Sequence, residues 1–239
     1  MPQVFGCWHD EGRLYYKRKK WSTPAWGHFS QESVNRFKDI KDSSGVDFFE
    51  DCGYLDVAGP KHPHFNEWCK DAERLAKSSN SQVLSPEEIP SVLPFLQLPG
   101  IAVGSYDQPG QGAGYLSPRK LVFAQQKLAM KQGCVVLSSI AKNLRQTKTG
   151  WMIQTEDGLM VSCTRVVLCQ GTYTGLSFVA KDLLPPLDLT FTAQTTALME
   201  VDEEEAQRLK DMPSMVVQVF QSRKIKIYYT AKHFTDGAY

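Results

Sequence analysis

His9 and Arg13 stand four residues apart near the start of the chain. A histidine and an arginine at that separation could grip a carboxylate, or offset negative charge that develops during a reaction. Two exposed residues near a chain end would look the same. A second candidate is Val166-Val167-Leu168-Cys169-Gln170-Gly171-Thr172-Tyr173, an apolar run that closes on a glycine. Ligands of α/β sheets bind beyond the carboxyl ends of the strands, where glycine lets backbone approach them closely. A plain strand-end turn is the other reading. A third is Gly110-Gln111-Gly112-Ala113-Gly114, ahead of a well-capped helix. Free N–H groups at a helix N-terminus bind phosphate. The dinucleotide pattern G-x-G-x-x-G would need glycine at 115, however, where Tyr115 stands, and no P-loop lysine follows in register. A flexible turn or a mononucleotide loop both remain open. His62-Pro63-His64 lacks the further ligands that a zinc spacing requires, so no metal is expected.

The six cysteines, at 7, 52, 69, 134, 163 and 169, form no CxxC pair. Their scatter argues against a disulfide framework, and they read as small buried hydrophobes. A nucleophilic Cys169 would need a paired base, which spacing does not supply. The chain has 239 residues, 42% of them hydrophobic, enough for one large domain or two small ones. A net charge of +1 does not suit nucleic acid or an anionic membrane. The basic run Lys17–Lys20 reads as a solvated loop. No apolar stretch approaches the roughly 20 residues of a membrane span, and Met1–Phe5 is too short for a signal peptide. These features predict a soluble, intracellular protein.

The elements that must position the candidates follow from periodicity. A helix is expected from Ser30, with Val34, Phe37 and Ile40 on one face and a stop at Gly45. Val46–Phe49 and Tyr54–Val57 read as two strands around a Cys52-Gly53 turn. Residues 65–78 predict a helix with Trp68, Ala72 and Leu75 inward. Ser85-Pro86-Glu87-Glu88 resembles a capping box opening a short helix. Ile101–Gly104 opens a strand-like segment. Ser117-Pro118 starts the clearest helix, with Leu121, Leu128 and Ala129 as its buried stripe up to Gly133. Then come strand Val135–Leu137, a meander over Asn143–Thr147, Trp151–Thr155 and Leu159–Cys163, and an apolar strand at Arg165–Cys169. Asp202–Met212 predicts a helix with an acidic first turn. Met215–Phe220 and Lys224–Thr230 predict a hairpin.

The order of these elements carries a resemblance. Gly112-Ala113-Gly114-Tyr115-Leu116-Ser117-Pro118, its helix, Gly133–Leu137, the meander and Gly171-Thr172-Tyr173 resemble FAD-dependent oxidoreductases of the D-amino-acid oxidase superfamily, the sarcosine-oxidase branch above all. His9-Asp10-Glu11-Gly12-Arg13 is similar to the family segment that runs along the flavin ring. Ile227-Tyr228-Tyr229 resembles a substrate-domain strand.

The resemblance implies an α/β fold of mixed α+β character: a partial FAD-binding domain with a β-meander, over 1–60 and 100–180, and part of an antiparallel-sheet substrate domain, over 61–99 and 181–239. It implies FAD as cofactor and oxidation of the C–N bond of a small amine or amino acid. His9 and Arg13 would be the active-site residues. Ala141 would lie at the adenosine, and Cys169, Gln170 and Gly171 beside the cofactor. The family's first βαβ unit, with its glycine fingerprint, does not precede His9. Its closing C-terminal segment would lie beyond Tyr239. The expectation is therefore an internal piece of such an oxidase, in the cytoplasm or a peroxisome. The alternative is a non-catalytic remnant or binding module of the same fold.

Overall fold

The structure is a computed structural model and describes residues 13–15, 24–78, 80–171, 190, 200–218 and 227–229. It divides into two compact units. One comprises Met1–His9 and Gln132–Leu198, the other Asp10–Lys131 and Met199–Tyr239.

The larger unit holds two sheets. Helix α1 (Pro24–Ser44) begins six residues before the expected Ser30 and stops where expected, with Gly45 N–H donating to the Lys41 carbonyl. Its inward face, Val34, Phe37 and Ile40, packs on Phe48, Phe49 and Leu116. The rings of Phe37 and Phe48 meet edge to face, centroids 5.5 Å apart. Strands β1 (Arg13–Tyr15), β6 (Gly114–Leu116) and β2 (Phe49–Glu50) form a sheet in the order β1-β6-β2. Helix α4 (Pro118–Lys131) covers this cluster through Leu121 and Ala124. Ser117 caps α4, its hydroxyl accepting the Lys120 N–H at 3.3 Å. Leu128 and Ala129 of the expected stripe are only half-buried, and Ala124 is the residue of α4 that is fully enclosed.

The second sheet orders its strands β11-β10-β3-β5-β4, that is Ile227–Tyr229, Ser214–Gln218, Tyr54–Ala58, Val103–Asp107 and Gln82–Leu84. One face carries Leu55, Val57, Leu84, Tyr106, Met215 and Val217, which pack on Ile89 and Leu93 to make the main core. Helix α2 (Phe65–Ser78) sets Trp68 and Ala72 against Ala58 on the other face. The capping box at 85–88 forms by half. Glu88 accepts the Ser85 N–H at 2.7 Å, and α3 (Ile89–Val92) starts only after the turn. The expected 215–230 hairpin is present as β10 and β11.

Tyr54–Ala58 forms, the expected Val46–Phe49 strand is reduced to Phe49–Glu50, and the two do not pair with each other. Phe49–Glu50 joins β6, while Tyr54–Ala58 joins β5 and, in parallel, β10. Local turn chemistry suggested a hairpin, and long-range partners won both ladders.

Helix α5 (Glu203–Arg208) is shorter than the expected 202–212. Asp202 caps it, accepting the Glu205 N–H at 2.8 Å.

The smaller unit contains the meander as expected: β7 (Ala141–Gln146), β8 (Trp151–Thr155) and β9 (Met160–Cys163), antiparallel in that order. The runs Val135–Leu137 and Arg165–Cys169 are not strands. Val135 and Val167 are 82% and 83% exposed, and neither run has a ladder partner among the described residues. An apolar β-prone run becomes a strand only when a neighbour takes up its backbone N–H and C=O groups. The buried-cysteine expectation also fails at Cys134 and Cys169, both exposed. Among the described residues no helix is long and apolar enough to cross a membrane.

Candidate functional site

The glycine loop ahead of β6 is held by a side chain from just past the end of β2. Gly112 N–H donates to Asp51 Oδ2 at 2.9 Å, and Ala113 N–H to Asp51 Oδ1 at 3.2 Å. Gly110 N–H donates to the Asp51 carbonyl at 3.3 Å, and Gly53 N–H to the Ala113 carbonyl at 2.8 Å. Two of the loop's amides are thus taken by a carboxylate of the same chain and a third by that residue's backbone carbonyl. This removes the mononucleotide reading of Gly110–Gly114, because an internal anion already fills the nest.

The face of the five-stranded sheet opposite the main core buries polar side chains beside the apolar Ala58 and Val216. Tyr54, Asp56, Ser105 and Ser214 are each at most 8% exposed. The register sets Ser214, Tyr54 and Asp107 in one row, and Val216, Asp56 and Ser105 in the next. The Ser81 hydroxyl donates to the Asp107 carboxylate at the end of the first row. At the other end of that row, Cys52 Sγ lies 3.8 Å from Ser214 Oγ, and burial pushes the thiol's pKa up. A protonated, half-buried thiol is no nucleophile. Sequence reasoning missed this polar face. Alternation along 54–58 and 103–107 marks two faces but not which is inward, and the β3–β10 pairing joins segments too far apart in sequence to foresee.

The residues singled out in the sequence fall in different places. His9 lies outside the described residues. The backbone of Arg13 opens β1 in the larger unit, opposite Leu116 of β6. Ala141 opens β7 in the smaller unit, opposite Thr155, with a bulge between Ala141 and Asn143. Cys169, Gln170 and Gly171 belong to that smaller unit too. Cys169 is exposed. The Gln170 side-chain oxygen is enclosed and has no hydrogen-bond partner among the described residues. Gly171 has φ +58°, in the left-handed region that side chains disfavour, and a Cβ there would meet nothing within 4 Å.

His62 and His64 are engaged locally. The His64 N–H donates to His62 Nδ1 at 3.2 Å, and His64 Nδ1 faces Glu67 Oε2 at 3.2 Å. No group of three or more His, Cys, Asp or Glu among the described residues could hold a metal ion.

Known proteins share this architecture. A fructosyl peptide oxidase, as a thermally stable mutant, superimposes with a TM-score of 0.67 at 16% identity, over 90% of this chain and 50% of its own. NikD, an amino acid oxidase of nikkomycin biosynthesis, gives 0.59 at 20% identity, over 74% of this chain and 44% of its own. Glycine oxidase from Geobacillus kaustophilus gives 0.54 at 17% identity, over 66% of this chain and 43% of its own. The chain thus spans half the length of these structures or less. At such identities the likeness speaks for the fold alone. No curated protein sequence matches the chain. The family profile described as FAD dependent oxidoreductase matches residues 5–237. With nearly the whole chain inside that match, and its mixed α/β architecture shared with these oxidases, the protein belongs to the DAO family of FAD-dependent oxidoreductases.

Proposed function

We propose that the protein takes part in FAD-dependent oxidation of the C–N bond of a small amine or amino acid. The family match over 5–237 carries this reading. The oxidases and the amino acid oxidase that share its fold support the substrate class. The expected partition into a cofactor domain (1–60 and 100–180) and a substrate domain (61–99 and 181–239) belongs to the same proposal.

The residues at 169–171 fit a cofactor edge. A buried amide oxygen without a donor is costly to leave unmet, and Gln170 Oε1 is such an acceptor among the described residues. On this reading it takes a hydrogen bond from the cofactor. Gly171, with open space where a Cβ would stand, lets the backbone approach closely. Cys169 flanks them, and Ala141 offers backbone to the adenosine.

Bound FAD supplies the two-electron acceptor for the substrate C–H next to nitrogen. Arg13 supplies a fixed positive charge that offsets negative charge arising on the acceptor or held by the substrate carboxylate. His9 takes a proton from the substrate ammonium or shapes the pocket around it.

Purified protein tests the reading. A yellow preparation, or one that takes up added FAD, with flavin reduction by an amine or amino acid that slows on Arg13→Ala, is the expected result. A full-length protein that stays colourless with added FAD would overturn it in favour of a non-catalytic module. Unchanged reduction kinetics in Arg13→Ala would remove that residue's role.

A further inference from the structure

Three N–H groups of one short loop, those of Gly110, Gly112 and Ala113, end on Asp51, the last two on its carboxylate. Hydrogen bonds to an ionised acceptor are roughly twice as strong as neutral ones. The loop so held runs directly into Gly114–Leu116, the central strand of the sheet β1-β6-β2. On one edge of that strand hang Arg13, Leu14 and Tyr15, paired with Leu116, Tyr115 and Gly114. On the other edge is Glu50, paired with Tyr115 and next in sequence to Asp51. Among the described residues β6 is the only sheet partner of β1. A three-residue strand with one neighbour takes its place from that neighbour.

We propose that Asp51 is a positioning residue for Arg13: its carboxylate sets the loop 110–113, the loop sets β6, and β6 sets the strand that carries Arg13. The proposal rests on the reading of Arg13 as a cation on the flavin side. It makes a chemical demand that packing alone does not. The two carboxylate oxygens serve two adjacent amides, so asparagine, with one acceptor and one NH2, cannot replace aspartate.

The test uses the full-length protein loaded with FAD. Asp51→Ala and Asp51→Asn should each speed amide exchange over 112–116 and 13–15 at least about tenfold. Both should move the flavin midpoint potential in the same direction as Arg13→Ala. Added formate, a small free carboxylate, should reverse both changes in Asp51→Ala. A potential that stays at the wild-type value in both Asp51 variants, while Arg13→Ala shifts it, overturns the positioning role. Unaltered exchange over 13–15 in both variants overturns it as well. Arg13→Ala distinguishes the two levels of failure: an unshifted potential in that variant overturns the flavin-side reading, and the proposal with it. Should Asp51→Ala fail to fold, Asp51→Asn decides on the same two readouts.

Discussion

Gly53 sits against Asp107 so closely that a Cβ on the glycine would stand 2.7 Å from the Asp107 carbonyl oxygen. The glycine is also at φ +84°, its N–H donates to the Ala113 carbonyl, and its carbonyl accepts the Ser214 N–H at 3.1 Å. Three chain segments meet at this one residue, and they close where a side chain would have been. Gly53→Ala should therefore lower stability by about 2–4 kcal/mol, from left-handed strain plus the clash. Urea unfolding of the variant beside the wild type measures it, and a loss under about 1 kcal/mol would contradict the steric reading.

Leu55 is fully enclosed between Tyr106 and Met215 in the main core, whereas Val122 on α4 is 51% exposed. Leu55→Ala should cost about 2–5 kcal/mol, the lost burial plus a cavity. Val122→Ala should stay within about 0.5 kcal/mol. Thermal melts of the pair rank them, and a comparable loss in both would refute the assignment of inner and outer positions.

Asp157, at the β8–β9 turn, accepts hydrogen bonds from the hydroxyls of Thr155 and Ser139. These bonds favour its charged form and hold its pKa below the ordinary 3.8, the Thr155 bond foremost. A depressed carboxylate pKa stabilises the fold above the ordinary value, and that contribution disappears as pH falls through the folded value. Thr155→Val should raise the Asp157 pKa toward the ordinary value and make the meander less sensitive to acid. An NMR titration of the Asp157 carboxyl carbon reads this directly.

Tyr115, on β6 between Leu14 and Glu50, has its hydroxyl pKa pushed well above the ordinary 10.0, by burial first and then by the Glu50 charge. The folded state prefers the neutral phenol. Its contribution is complete below about pH 10 and is lost as pH rises toward the folded value. Alkaline unfolding followed by circular dichroism should shift to higher pH in Tyr115→Phe. An unshifted transition would show that Tyr115 ionises without strain.

Much of the local structure was legible in the residues. Ser117-Pro118 marked a helix start because a side-chain oxygen must satisfy the first free N–H groups, and the acidic run from Asp202 marked another through the helix dipole. The meander forms where expected, with Thr149-Gly150 and Asp157-Gly158 at its two turns. The 65–78 helix buries Trp68, Ala72 and Leu75 as their spacing demands. The order of the motifs carried the resemblance to the family, and the family match over 5–237 shows it.

Other features were decided only by folding. Phe49–Glu50 took its partner from Tyr115–Leu116, and Tyr54–Ala58 took one of its partners from Ser214–Gln218, against the hairpin their turn suggested. The runs 135–137 and 165–169 had strand composition but no ladder among the described residues. The loop at Gly110–Gly114 reads in sequence as either a flexible turn or a place for an external anion. In the fold its amides belong to Asp51, far earlier in the chain, which no local pattern ties to it. Periodicity, caps and turns act over a few residues, so sequence alone determines them. Which carboxylate fills a nest, and which strand completes a sheet, depend on contacts between distant segments, and only the tertiary structure brings those together.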